Sequence, residues 1–152
     1  MNGEIVLRPM EARDLDEVLR IEEASFSAPW SRASMEKELV SPQSHYLVAV
    51  LAKTGEVAGY AGYWQVMDEG HIMNIAVRED QRGTGIGRRL MEAMLASGDP
   101  LGILYWTLEV RVSNVPALRL YESIGFSSAG IRPGYYTDPR EDANILWLTR
   151  KV

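Results

Sequence analysis

The spacing of apolar and polar residues predicts a short strand followed by two helices at the start of the chain. Residues 4–8 form a strand pattern that ends at Pro9, which has no N–H to donate to a ladder. Apolar residues then recur at helical spacing over residues 12–24, with acidic residues early, which predicts a helix. Ser31 is a typical N-cap for a second, shorter helix that ends at Leu39.

The middle of the chain predicts a meander of three strands and then a helix. The strands are expected at residues 46–51, 57–66 and 71–77, and a glycine-containing turn joins the first two. After them the apolar period lengthens, and residues 86–97 present one apolar face of a helix.

The last third predicts one more helix and three more strands. The helix is expected over residues 114–124, with Ser113 or Asn114 as its cap and Gly125 at its left-handed end. The strands are expected at residues 104–110, 127–132 and 145–149. No linker or repeat divides the chain, so the order predicts a single α/β domain over residues 1–152 with one mixed sheet.

The composition excludes several kinds of chemistry. The 152 residues contain no cysteine, which excludes a disulfide framework, a thiolate zinc site and a cysteine nucleophile. Two histidines, His45 and His71, are too few and too separated for a metal site, so we expect no metal and structural roles for both. The formal charge of −5 argues against nucleic-acid binding and favours a cationic partner.

The same pattern contains no apolar run near the roughly 18 residues of a membrane span. Residues 1–4 also lack the basic-then-apolar order of a secretory signal. We therefore expect a cytoplasmic protein that contacts neither a membrane nor nucleic acid directly, with the oligomeric state left open.

The most informative segment is the glycine loop Arg82-Gly83-Thr84-Gly85-Ile86-Gly87, which lies between a predicted strand and a predicted helix. Glycines there let the backbone approach a ligand, and the helix N-terminus adds positive potential, so the loop suits phosphate oxygens. A flexible turn is the alternative. Arg88-Arg89 replaces the lysine and Ser/Thr of a P-loop, and the loop follows the fourth strand, not the first as in a Rossmann fold.

These residues resemble a known family. The glycine loop matches the Arg-x-x-Gly-x-Gly acetyl-CoA signature of the GCN5-related N-acetyltransferases (GNAT), and the element order is similar along the whole chain. Five further segments resemble the RimI-type ribosomal-protein-alanine N-acetyltransferases of bacteria: residues 74–77, 108–114, 120–126, 135–136 and 140–143. The resemblance implies a single-layer mixed, mostly antiparallel sheet of about seven strands, flanked by four helices.

The resemblance also implies acetyl-CoA as co-substrate and a set of residues that bind it. The backbone of Ile75, Ala76 and Val77 would hold the pantetheine arm, and the glycine loop from Arg82 to Gly87 would hold the phosphates. Asn114 and Tyr121 would complete the cofactor side, although Asn114 also fits a plain helix-capping role. No covalent intermediate is expected, because the family works by direct attack.

Glu109 is the candidate general base. A carboxylate between Leu108 and Val110 in a core-like strand is unusual unless it has partners or is used. An α-amine with a pKa near 8 is partly neutral at pH 7, so a modest base suffices, directly or through water. The alternative is an ion pair between Glu109 and Arg111 or another base.

Tyr121 is the candidate general acid, because the resemblance implies that the corresponding tyrosine donates a proton to the departing thiolate. Its position in a helix suits a core aromatic equally well, and the residue pattern alone leaves both interpretations open.

Recognition of the acceptor is the least determined part of the site. Trp30, Tyr135 and Tyr136 are candidate walls of a peptide groove, or else pack separately, and Glu141 is a candidate contact for a basic peptide. Other acids of the early helices and the late turn, Glu22 among them, either attract that peptide or are simply solvated.

The resemblance therefore implies an N-terminal acetyltransferase whose acceptor is the alanine α-amine of small-subunit ribosomal protein eighteen. Three alternatives stay open. They are a GNAT enzyme for a small amine or a lysine side chain, a non-catalytic acetyl-CoA-binding regulatory module, and a binding protein for another phosphate ligand.

Overall fold

The computed structural model describes residues 4–150 and confirms the predicted order of elements. The segment 1–3, on which the expectation of no secretory signal rests, lies outside the described residues. The strands are β1 (Ile5–Pro9), β2 (Ser44–Leu51), β3 (Val57–Val66), β4 (Glu69–Val77), β5 (Tyr105–Arg111), β6 (Ser127–Thr137) and β7 (Arg140–Thr149). The helices are α1 (Leu15–Ser25), α2 (Arg32–Val40), α3 (Ile86–Gly98) and α4 (Val115–Ile124).

All seven strands form one sheet in the order β1-β2-β3-β4-β5-β7-β6. Every neighbouring pair is antiparallel except β4 and β5, which confirms the mixed, mostly antiparallel sheet. The parallel pair is short, because Glu69–His71 alone pairs with Tyr105–Thr107. Beyond that point β4 and β5 separate, and the sheet opens at its centre.

The helices cover the sheet on two sides, and each side has its own apolar core. Residues of α3 and α4 pack with Trp106 of β5, whose side chain is fully buried, in the larger core. Residues of α1 and α2 pack with Tyr60 of β3 and Tyr46 of β2 in the smaller core. The apolar stripes predicted for α1 and α3 are the surfaces that face these cores.

Local signals at the helix ends are confirmed. The Ser31 hydroxyl accepts a hydrogen bond from the backbone N–H of Ser34, and the Asn114 side chain accepts one from that of Ala117. Gly125 ends α4 with a φ of +124°. The first helix differs slightly from the prediction, because Ala12–Asp14 is a 3-10 turn that precedes α1.

Two strand predictions differ from the structure, and the second difference matters for the site. β1 includes Pro9, which is its last residue and pairs with Leu47 on an edge strand, where a missing N–H is tolerated. β6 and β7 continue to Thr137 and start at Arg140, so Tyr135, Tyr136 and Glu141 lie in strands and not in a turn. Glycines and a proline lower the strand propensity of β6, so the sequence pattern did not predict its full length. Pairing with β7 forms the strand nevertheless.

Within residues 4–150, no helix combines the length and apolarity that crossing a bilayer requires.

Candidate active site

The glycine loop joins the end of β4 to α3 as predicted. Gly83 and Gly85 have φ values of +76° and +87°, a conformation that favours glycine. Gly85 is the N-cap of α3 and has no side chain to cap the helix. The amide groups of the first turn of α3 are therefore available to an anion, with the helix dipole in support.

Two arginines around this loop, Arg82 and Arg88, have partners within the protein. Arg82 is exposed and donates to the Val77 carbonyl at 3.0 Å and to the Ser25 hydroxyl of α1 at 3.3 Å. Arg88 donates to the Ser123 hydroxyl of α4. The Thr84 hydroxyl donates to the Gln81 carbonyl at 2.6 Å, which closes the turn before α3. These contacts tie the loop to α1 and to α4, which flank it.

The residues expected to bind the pantetheine arm lie where the sheet opens. Ile75 and Val77 are half-buried and pack on the larger core, while Ala76 is buried in the smaller one. Their backbone pairs with β3 on one side and with no described strand on the β5 side. Asn114 begins α4 on the other side of this opening. An extended chain therefore has unpaired backbone groups of β4 to bind there.

Glu109 lies outside the core, although its apolar neighbours in the sequence suggested a core position. Leu108 and Val110 are buried, whereas Glu109 is exposed on the opposite face of β5, because side chains alternate along a strand. It forms no hydrogen bond or ion pair with any described residue. The ion pair with Arg111 does not form, because Arg111 is paired with Glu141 at 3.2 Å. The Glu109 carboxylate is thus available to a ligand.

Tyr121 is a core aromatic, and its hydroxyl is also available. The side chain is 7% exposed and packs edge-to-face on Phe126 with ring centroids 6.1 Å apart. Its hydroxyl forms no hydrogen bond to another described residue. Burial, together with the neighbouring Tyr136, raises the pKa of Tyr121 to about 12. The phenol therefore stays protonated and can only donate at neutral pH.

Tyr135 and Tyr136 lie together beside Glu109. Their rings meet edge-to-face at 5.0 Å, and Tyr135 is 43% exposed. Burial raises the pKa of Tyr136 to about 12, with smaller contributions from Tyr135 and the Glu109 carboxylate. Tyr136 thus interacts electrostatically with both candidate catalytic groups, Glu109 and Tyr121.

Glu141, a candidate contact for the peptide, already has partners. One carboxylate oxygen accepts the backbone N–H of Ser113 at 2.7 Å, and the other accepts from Arg111 at 3.2 Å. These hydrogen bonds, chiefly the one from Ser113, lower its pKa. Glu141 therefore connects β7 to the loop before α4, and its charge is largely compensated.

Trp30 lies in the loop between α1 and α2, half-buried against the smaller core. In the same loop, the Ser27 hydroxyl donates to the Asp138 carbonyl in the turn between β6 and β7. This contact joins the two segments that carry Trp30 and the tyrosine pair, so both belong to one side of the sheet opening.

A buried network behind this loop escaped the sequence analysis. Glu22 is 1% exposed, although it was expected on the surface. It accepts hydrogen bonds from the Tyr60 hydroxyl, from the Asn74 side chain at 3.2 Å and from the backbone N–H of Trp30 at 2.9 Å. The sequence signal for the burial of Glu22 is its position, seven residues after Leu15 on the apolar stripe of α1.

The histidines have local contacts. His45 stacks on Tyr63 with ring centroids 5.0 Å apart, and His71 lies 2.8 Å from the Glu69 carboxylate. Among residues 4–150, no group of three or more histidine, aspartate or glutamate side chains is arranged to hold a metal ion.

Comparison with known proteins identifies the class. A family model described as the acetyltransferase (GNAT) family matches residues 15–126. This segment runs from the first residue of α1 to the residue after Gly125 and includes the glycine loop, Glu109, Asn114 and Tyr121. The chain belongs to the GNAT family of acetyltransferases.

Particular relatives narrow the comparison. The ribosomal protein bS18-alanine N-acetyltransferase of Escherichia coli (strain K12) is 41% identical over 142 residues, which cover 91% of this chain and 93% of the relative. The crystal structure of the ribosomal-protein-S18-alanine N-acetyltransferase from Escherichia coli matches with a TM-score of 0.88 and 34% identity, covering 98% of this chain and 96% of that one. A chain in the crystal structure of the NatC complex bound to Gag peptide and CoA matches with a TM-score of 0.85 and 26% identity, covering 97% and 99%.

Proposed function

We propose that this chain is an acetyl-CoA-dependent N-terminal acetyltransferase and that it acetylates the alanine α-amine of ribosomal protein bS18. The observation that carries the proposal is the Glu109 carboxylate. It is exposed and has no partner among the described residues, and it lies on the strand that separates from β4. The names of the relatives support bS18 as the acceptor.

On the cofactor side, the proposed contacts follow the sheet opening. The unpaired backbone of Ile75, Ala76 and Val77 would bind the extended pantetheine arm. The loop from Arg82 to Gly87, with the uncapped first turn of α3, would bind the phosphates. Asn114 and Tyr121 would bind from the α4 side. Bound acetyl-CoA would supply an activated acetyl group on a thioester sulfur.

On the acceptor side, Glu109 takes the proton that the attacking α-amine loses, directly or through a water molecule. The nitrogen–carbon bond forms as the carbon–sulfur bond breaks, and the sulfur leaves as a thiolate. The proton that Glu109 took from the amine returns to solvent, and the thiolate takes one from solvent to become a thiol. An α-amine with a pKa near 8 needs only this modest assistance, whereas a lysine amine near 10.4 is almost wholly protonated at pH 7.

The role proposed for Tyr121 is to donate a hydrogen bond and not to transfer its proton completely. A buried phenol with a pKa of about 12 holds its proton firmly, whereas a thiol in water has a pKa near 8.5, so complete proton transfer to the thiolate is not favoured. Tyr121 therefore acts by donating a hydrogen bond to the sulfur while the carbon–sulfur bond breaks. A firmly protonated phenol is suited to that role.

The acceptor peptide is proposed to enter between the α1–α2 loop and the β6–β7 hairpin. Trp30, Tyr135 and Tyr136 would line the groove that holds the peptide. Glu141 would support this groove through the hydrogen bonds that it accepts from Arg111 and Ser113. A basic peptide suits the net charge of −5. The proposal includes a single domain over residues 1–152 that needs no metal. It also places the protein in the cytoplasm, where bacterial ribosomal proteins are made.

Mass spectrometry of a peptide with the first residues of bS18 tests this function. After incubation with the protein and acetyl-CoA, we expect one added acetyl group on the α-amine. A matched peptide with a blocked N-terminus and free lysines should gain none. Acetylation of both peptides would move the acceptor to lysine side chains, and binding of acetyl-CoA without transfer to any amine would favour a regulatory module.

A further inference from the structure

Arg111 makes four contacts beside the proposed acceptor site, although the proposed chemistry gives it no role. It lies on β5 two residues beyond Glu109, so both side chains project from the same face of the sheet. Its guanidinium donates to the Pro139 carbonyl at 2.9 Å, to the Asp138 carbonyl at 3.2 Å and to Glu141 at 3.2 Å. It also lies over the Tyr136 ring, 4.2 Å from the centroid.

These contacts hold a part of the hairpin that its own ladder leaves loose. β6 and β7 pair at Arg132 with Ala143 and again at Tyr136 with Glu141. Between these pairs, three residues of β6 (133–135) oppose one residue of β7, and the ladder is irregular. The end of the hairpin, which carries the tyrosine pair, therefore depends on contacts besides the ladder. The Asp142 side chain accepts the Gly134 N–H at 2.8 Å, and the Ser27 hydroxyl donates to the Asp138 carbonyl. β5 adds three hydrogen bonds through Arg111.

We propose that Arg111 is a positioning residue that fixes the β6–β7 hairpin, and Tyr136 with it, against Glu109 for binding of the acceptor peptide. The inference rests on the proposed function. Arg111 acts through the hairpin, and none of its contacts involves the glycine loop. Its loss should therefore weaken binding of the peptide while acetyl-CoA binds as before.

The geometry calls for arginine and not simply for a positive charge. A planar guanidinium can stack on a ring and donate in its own plane to several acceptors at once, whereas a lysine ammonium cannot do both. Lysine at this position should therefore fail to replace Arg111.

The chain offers a matched control on the same hairpin. Arg132 lies over the ring of Tyr135, 5.4 Å from the centroid, but donates no hydrogen bond to a described residue. Removing its guanidinium takes away a similar charge and a similar ring contact without freeing the turn.

The experiment compares Arg111→Met, Arg111→Lys and Arg132→Met in steady-state kinetics with the bS18 peptide and acetyl-CoA. For Arg111→Met we expect the KM for peptide to rise at least tenfold, with kcat changed less than fivefold and the KM for acetyl-CoA within twofold. Arg111→Lys should resemble Arg111→Met, and Arg132→Met should stay within twofold in all three constants. Hydrogen exchange of residues 133–140 should be faster in both Arg111 variants and unchanged in Arg132→Met.

An unchanged KM for peptide in Arg111→Met would overturn this inference alone, provided that the wild-type protein acetylates the peptide. The same holds for equal increases in both KM values, or for full activity of Arg111→Lys. If the wild-type protein leaves the peptide unmodified, the proposed function fails first and the inference fails with it.

Discussion

Two glutamates on the α1/α2 side of the sheet are used in opposite ways. Glu22 of α1 lies in the smaller core at 1% exposure, where three donors from β3, β4 and the α1–α2 loop point at its carboxylate. Glu109 of β5 is exposed and has no partner among the described residues. One carboxylate is fully used by the protein, and the other is left for a ligand.

The difference shows how to separate a structural carboxylate from a catalytic candidate. A buried carboxylate is tolerated only if hydrogen bonds replace its water, and those hydrogen bonds then organise the surrounding elements. Tyr46 extends this network by donating to Asn74 at 2.8 Å, and burial raises the pKa of both Tyr46 and Tyr60 well above the usual range. The network holds the backbone of Trp30, so it supports the site without entering it.

The largest effect expected concerns the buried carboxylate. Glu22→Ala leaves three buried donors without an acceptor, so we expect the free energy of unfolding to fall by about 3–5 kcal/mol in urea denaturation. Glu23→Ala, next to it on the exposed side of α1, should change it by less than about 0.5 kcal/mol. If Glu22→Ala does not fold, Tyr60→Phe removes a single donor at a cost of about 1 kcal/mol. Equal stabilities for the Glu22 and Glu23 variants would contradict the structural role.

The exposed carboxylate should show the reverse pattern. We expect Glu109→Gln to lower kcat/KM by about 10²- to 10³-fold, because the amide cannot take the proton of the amine. Its free energy of unfolding should stay within about 0.5 kcal/mol of the wild type, since no contact is lost. Glu122→Gln, an exposed change on α4, serves as the control for both measurements. Unchanged turnover in Glu109→Gln would remove the general base from the proposal.

A smaller loss is expected for Tyr121→Phe. We expect kcat to fall by about 10- to 100-fold, with the affinity for acetyl-CoA, measured by calorimetry, within about threefold. Since the pKa of Tyr121 is about 12, the phenol stays protonated through pH 11, so the wild-type rate should not decline between pH 9 and pH 11. Its contribution to stability is present below the ordinary pKa near 10 and is lost as the pH rises through 12. A decline of the rate near pH 10 that is absent in Tyr121→Phe would show that burial does not raise this pKa.

The smallest effect concerns a second structural carboxylate. Asp14 is 4% exposed, and this burial by itself raises the pKa of its carboxyl group. Hydrogen bonds from Arg8 and from the Glu11 backbone outweigh the effect of burial, so the pKa of Asp14 is lowered overall. The stability that Asp14 contributes is therefore present above the unfolded-state pKa near 4 and is lost as the pH falls through the lower folded-state value. We expect Asp14→Asn to cost about 1–2 kcal/mol at pH 7 and much less at pH 2.5, measured by denaturation at both values. A cost that does not change with pH would show that the charge of Asp14 is not what matters.

Local chemistry explains why much of the fold was predictable. The caps at Ser31 and Asn114 and the left-handed Gly125 each depend on residues within one helical turn, so the sequence pattern contains all the information they need. The glycine loop is equally local, because a strand, two glycines with positive φ and a helix N-terminus follow one another along the chain.

The site depends on contacts between distant residues, and there the sequence pattern was insufficient. Glu109 was expected between core neighbours, but alternation along β5 turns it to the opposite face, and Arg111 pairs with a residue 30 positions away. The far end of the hairpin was missed because glycines and Pro133 weaken its strand propensity, while pairing with β7 restores the strand.

The sequence by itself determined the order of helices and strands, the helix ends and the glycine loop that precedes α3, because hydrogen bonds and dihedral preferences within a few residues decide them. Only the tertiary structure decided which glutamate is buried, which is free and how Arg111 holds the hairpin. Those outcomes depend on strand register and on the packing of α1 against the sheet, which bring together residues 27 to 52 positions apart in the chain.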